Sequence, residues 1–161
     1  MALNTEPTFI SVRNRWGSDL TNQVFARGAQ TITSTAPVLL GTAGDYGALI
    51  TEIMVAPTGT VAANSIRFFV LPAGGSQLQR SLDWALPATN IASESVVCPY
   101  YLLSSQANAQ NGNNPFPRLL ILSDGRGLPL APNESFYVAL GVAETTSRIH
   151  VSVFVGDYAS T

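Results

Sequence analysis

The stretch "RIHVSVFVGDYAST", Arg148 to Thr161, decides the fold class. Its apolar residues recur at every second position: Ile149, Val151, Val153 and Val155. Side chains alternate across a strand, so these four share one face, which predicts a core-facing surface. Arg148, His150, Ser152, Phe154 and Gly156 fall on the other face.

Outward from this strand, the same texture continues. Short runs of Val, Ile, Leu and aromatic residues lie between turn residues, with 13 Gly and 10 Pro in the chain. Helix signals are nearly missing. The pattern predicts an all-β chain of seven to nine strands. The expected architecture is an antiparallel two-sheet sandwich, jelly-roll-like, with an extended N-terminal arm. Residues 1–30 are read as the arm and residues 31–161 as the β-sandwich domain. The arm has no clean period, yet it carries Phe9, Ile10, Trp16 and Phe25, more large apolar groups than a solvated tail usually holds.

Individual strands can be placed. "QTITSTAPVLLGT" reads as a strand bent near Pro37, and a strand is predicted near Ala48–Ala56. In the latter, strict alternation puts Leu49, Thr51, Ile53 and Val55 together, opposite Ile50, Glu52, Met54 and Ala56. "SIRFFVLPAGG" comes next, and the two read as a hairpin. "QLQRSLDWAL" is read as a strand with Leu78, Arg80, Leu82 and Trp84 on one face. "ESVVCPYYLL" and Leu119–Leu122 are further strands, separated by a long loop over residues 104–118. Phe136–Val142 and Arg148–Gly156 are expected to close the domain as a hairpin joined by "AETTS".

Composition bounds the function. The chain has 161 residues, which suits one domain, and a chain of this size buries roughly two-thirds of its unfolded surface. Only 11% of residues are charged, and the net charge is -2. That argues against a nucleic-acid binder, which would show a basic patch. All eight basic residues are arginine, the cation best suited to interfaces. One Cys and one His are too few for a zinc site, and Cys98 is read as a small buried apolar residue. No apolar run is long enough to span a membrane, so no membrane partner is expected. No Walker-type phosphate loop is present, and no cofactor is expected.

His150 is the one histidine. A Ser–His–Asp site would need an acid and a nucleophile to converge on it. The chain has no GxSxG elbow, and no spacing singles out a carboxylate pair. His150 is therefore read as a surface or interface residue, and no enzyme is expected.

Two stretches resemble the β-sandwich structural proteins of tailed-bacteriophage virions. One is "GALITEIMVAPTGTVAANSIRFFVLPAGG", residues 47–75. The other is "GLPLAPNESFYVALGV…RIHVSVFVGDY", within residues 127–158. Leu128, Pro129, Leu130 and Phe136 match the pattern, as do Gly156, Asp157 and Tyr158; Asn133 and Glu134 stand where a glycine is usual. The resemblance implies a virion structural protein of the capsid cement (decoration) type. Its implied partners are a major capsid protein and further copies of itself, as a trimer. It would be made in the host cytoplasm and located in the virion. A tail, baseplate or fibre component is the neighbouring reading, and a carbohydrate-binding jelly roll the alternative outside assembly. Arginine and aromatic residues dominate interface hot spots. The candidate interface residues are accordingly Phe9, Arg13, Arg15, Trp16, Phe25, Trp84 and Tyr158.

Overall fold

A computed structural model describes residues 9–88, 101–103 and 127–159. The side chains of residues 9–13, 80–82 and 101–103 are outside that description. Nine strands run through the described residues: β1 (Phe9–Leu20), β2 (Val38–Thr42), β3 (Ala48–Pro57), β4 (Asn64–Leu71), β5 (Gln79–Leu86), β6 (Tyr101–Leu103), β7 (Leu128–Leu130), β8 (Ser135–Leu140) and β9 (Ile149–Ala159). One sheet has the order β1-β9-β3-β6, with β7 also paired to β3; the other has the order β2-β8-β4-β5. Every strand pair is antiparallel. The chain is an all-β, two-sheet sandwich, and this strand order is that of a jelly roll.

The order corrects two pairings expected from sequence. β3 and β4 lie in different sheets, as do β8 and β9. Neither pair is a hairpin; each turn carries the chain from one layer to the other. Alternation along a strand reports which face is buried, not which strand lies beside it. β4 and β5 do pair directly, from Asn64↔Leu86 to Val70↔Gln79.

β9 has the expected faces. Ile149, Val151 and Val153 are fully buried and Val155 nearly so. They meet Ile50, Ile53 and Val55 of β3, and Ile66, Phe68, Phe136, Val138 and Leu140 of the opposing sheet. β3 departs from strict alternation. Its register with β9 slips between Ile50 and Glu52, a β-bulge that leaves Thr51 as the extra residue. A bulge reverses the phase of the residues before it. Ile50 is therefore buried with Ile53 and Val55, while Leu49 moves to the outer side.

Of the stretch expected as an arm, Phe9–Leu20 is β1, paired along its length with β9. Residues 21–37 then wrap the molecule's own second sheet. Phe25, Ala29 and Ala36 pack against Phe69, Leu71, Leu78, Tyr137 and Ala139, which form the outer side of β4 and β8 and the approach to β5. Phe25 meets Phe69 edge-on at 5.2 Å. Val24 bridges to Leu140 in parallel, beyond the end of β2. Beneath this wrap, Arg67 donates to the Phe25 carbonyl and lies 3.9 Å from Asp83, which also pairs with Arg27 at 3.0 Å. The apolar groups of the wrap thus complete a second, smaller core.

Candidate interface on the outer sheet face

The wrap makes the two sheets unequal. The outer side of the β2-β8-β4-β5 sheet is covered by residues 21–37, whereas the outer side of the other sheet carries the side chains of β1, β9 and β3. There β1 contributes Arg15, Gly17 and Asp19; β9 contributes His150, Ser152 and Phe154 opposite them; β3 contributes Ala56, Met54 and Glu52 beyond. Apolar and polar groups are mixed, and most are half-buried.

Four of these side chains form one hydrogen-bonded line. His150 Nδ1 lies 2.7 Å from Asp19 Oδ1, and His150 Nε2 lies 2.8 Å from Ser152 Oγ. Arg15 Nη2 donates to the same Ser152 oxygen at 3.0 Å. The guanidinium also sits 5.2 Å from the centre of the Phe154 ring, within range of a cation–π contact. One proton assignment satisfies every partner. Arg15 donates to Ser152, the Ser152 hydroxyl donates to Nε2, and Nδ1–H donates to Asp19. Arg148 approaches the other Asp19 oxygen at 3.7 Å.

The composition is that of a nucleophilic triad, and the convergence that such a site requires does occur. Its setting differs from that of an acyl-transfer site. Such a serine must be open to substrate and face donors for the developing oxyanion. Ser152 is 1% exposed, and its oxygen already accepts from Arg15. The line instead ties β1 to β9. Removing the ring leaves the Asp19 and Ser152 oxygens without it, so His150→Ala is expected to cost about 1–2 kcal/mol. Urea titration measures this. In a double-mutant cycle, Asp19→Ala should then add less than it costs alone.

Ser152 was legible as an i+2 neighbour on the strand. Asp19 was not, because its place depends on the β1–β9 register across 131 residues of chain.

The structure distributes the seven candidate residues. Phe9 and Arg13 lie on β1 opposite Ala159 and Gly156, with side chains outside the described set. Arg15 belongs to the line just described. Trp16 points inward and covers Gly41 of β2, where an added Cβ would come within 2.2 Å of the indole. Phe25 and Trp84 are core residues of this chain, 3% and 5% exposed. Their size reflects intramolecular packing, which an aromatic scan of sequence does not distinguish from interface anchoring. Tyr158 is half-buried, and its N–H donates to the Gly47 carbonyl. Cys98 and the loop 104–118 lie outside the described residues.

At one end of the sandwich, the two layer-crossing turns are laced together. Glu144 is 7% exposed and accepts from the Thr146 hydroxyl at 2.8 Å and from the Thr146 N–H at 3.2 Å. The Thr146 hydroxyl, against some opposition from burial, lowers the Glu144 pKa; the N–H groups of Thr146, Ala62 and Ser147 act in the same sense. A lowered carboxylate pKa adds stability above the ordinary carboxylate range, lost as pH falls through the folded value. Ser147 Oγ donates to the Thr60 carbonyl at 2.8 Å. Beside these contacts an open groove of about 670 Å³ is lined by Thr21, Thr58, Gly59, Thr60, Thr145, Thr146, Ser147 and Arg148.

Among the described residues, no cluster of three His, Cys, Asp or Glu side chains is placed to hold a metal ion. No helix among them is long and apolar enough to cross a membrane. Comparison with family models, with curated proteins and with solved structures found no match to this chain.

Proposed function

We propose that this protein is a virion structural subunit, a capsid cement protein that binds the assembled head of a tailed phage through its major capsid protein. The observation that carries the reading is where the two phage-like stretches meet. Residues 47–75 hold β3 and β4; residues 127–158 hold β7, β8 and most of β9. Far apart in sequence, they pair as β3–β9 and β3–β7 in one sheet and as β4–β8 in the other. The resemblance therefore falls on the paired centre of both sheets. A jelly roll is a frequent scaffold for capsid components. The outer face of β1, β9 and β3 supports the same reading, because it mixes arginine with half-buried apolar groups.

A cement subunit recognises geometry that exists only where capsomers meet. It should bind expanded, undecorated heads and not free capsid subunits. Binding that favours the assembled state raises head stability by mass action. Co-sedimentation with heads together with a higher rupture temperature is the expected result. Attachment to tails, or to glycans without heads, would move the assignment to the tail or carbohydrate-binding alternative.

A further inference from the structure

We propose that the edge of β1 turned away from β9 pairs with β1 of a second copy, antiparallel, about a two-fold axis at Gly17. β1 has 12 residues and, among the described residues, pairs with β9 alone. An edge strand turns alternate N–H and C=O groups away from its sheet, ready to template another strand. Edges that avoid this are short, bulged or covered, or carry Pro or charge; the irregularity of β1 lies at Ile10–Val12, outside the segment that would pair. Between Asn14 and Leu20, β1 carries no proline and two charges of opposite sign, Arg15 and Asp19.

Those charges, with Gly17 between them, narrow the register. Residues directly opposite must lie on the same face, so the axis has to fall on a residue. At Gly17, Arg15 stands opposite Asp19 of the second copy, and Asp19 opposite its Arg15. Two glycines meet at the centre, and no side chain crowds the axis. At residue 15, Arg15 would oppose itself; at residue 14, Arg13 would oppose Arg15. Like charges directly opposite are destabilising. At Trp16, Asp19 would meet Arg13 instead, but Arg15 would face only Gly17 and the central pair would be two tryptophans. The Gly17 axis matches Asp19 with Arg15, whose guanidinium already lies on this face beside Ser152 and Phe154.

Both partners have capacity to spare. Arg15 is exposed and commits one donor to Ser152, leaving others for a carboxylate. Asp19 retains 44% of its side-chain surface with His150 and Arg148 beside it. Pairing would join the two lines head to tail. Arg15, Ser152, His150 and Asp19 of one copy would run into Arg15 of the other and back, a closed polar circuit crossing the axis twice. The outer sheets of both copies would become one continuous sheet.

The inference does not rest on the virion reading, and its test needs no heads. Light scattering across the micromolar range should give twice the 17.0 kDa chain mass. Cysteine placement reads the register. In a Cys98→Ser background, Gly17→Cys should cross-link on oxidation, because the two thiols face each other. An added Cβ at Gly17 meets the Val151 carbonyl at 3.1 Å, a tight but small displacement. Ser18→Cys in that background should not cross-link, since the two copies of residue 18 lie about 7 Å apart along the strands, beyond disulfide reach. Arg15→Asp should return the protein to monomer mass, and adding Asp19→Arg should restore the dimer. A monomer throughout, the threefold mass of the expected trimer, or cross-linking at residue 18 as fast as at residue 17 would overturn the proposal.

Discussion

Val153→Asp is expected to abolish the native fold. Val153 is fully buried at the centre of β9, between Trp16 of β1 and Ile53 of β3. The substitution removes an apolar side chain from the main core and puts a carboxylate there without a cationic partner. An isolated buried charge is among the costliest single changes, and about 4–5 kcal/mol or more is expected. The whole stability of a domain is roughly 5–15 kcal/mol. Loss of near-ultraviolet dichroism and of a cooperative melt would show the effect. His150 lies only three positions away but on the opposite face, and its truncation should leave the transition cooperative. If the two variants melted alike, the faces of β9 would be misassigned.

Phe136→Ala should be the next most damaging change. Phe136 is fully buried on β8 and stacks on Phe68 of β4, with ring centroids 5.5 Å apart and planes at 9°. The two rings fill the inner side of the β2-β8-β4-β5 sheet, against the aliphatic side chains of β3 and β9. Truncation loses the transfer energy of the ring and leaves a cavity that rigid strands on both sides cannot close. A cost of about 3–5 kcal/mol is expected. For a chain of this length the melting temperature should fall by roughly 10 °C, measurable by calorimetry. Phe136→Leu should recover most of the loss; a similar fall for Leu and Ala would mean that ring stacking, not volume, dominates there.

What sequence could show, and what it could not, divides along a physical line. Period-two alternation depends only on local chain geometry. It identified β9 with the right faces, and it located β3 and β5, although Leu78 and Trp84, expected on one face, enter different cores because the β4–β5 register slips at Ser81. It failed at Thr51, because a bulge is set by the partner strand. It failed at both layer-crossing turns, because "TGTVAA" and "VAETTS" can reverse a chain within a sheet or between sheets. The same limit hid the wrap of residues 21–37: Phe25 and Ala36 become core only once β4 and β8 present Phe69 and Ala139. At the outer face, Arg15 stood out for its chemistry, and His150 as the lone histidine. Their connection through Ser152 and Asp19 needed the β1–β9 register.

That register also constrains how the molecule comes into being. β9 joins β1 on one side and β3 on the other, and every strand it pairs with precedes it in the chain. Pairing Leu20 with Ile149 encloses well over a hundred residues. Closing a loop of that length costs entropy before contacts compensate for it, and folds dominated by such distant pairs assemble slowly, over milliseconds to seconds. During translation, β1 and β3 emerge with the gap between them unfilled, and Ile50, Ile53 and Val55 lack their principal cover. A ribosome stalled before Ile149 should therefore hold a chain that proteases cut readily. The same chain extended past Ala159 should become resistant in a single step, because one strand completes the sheet.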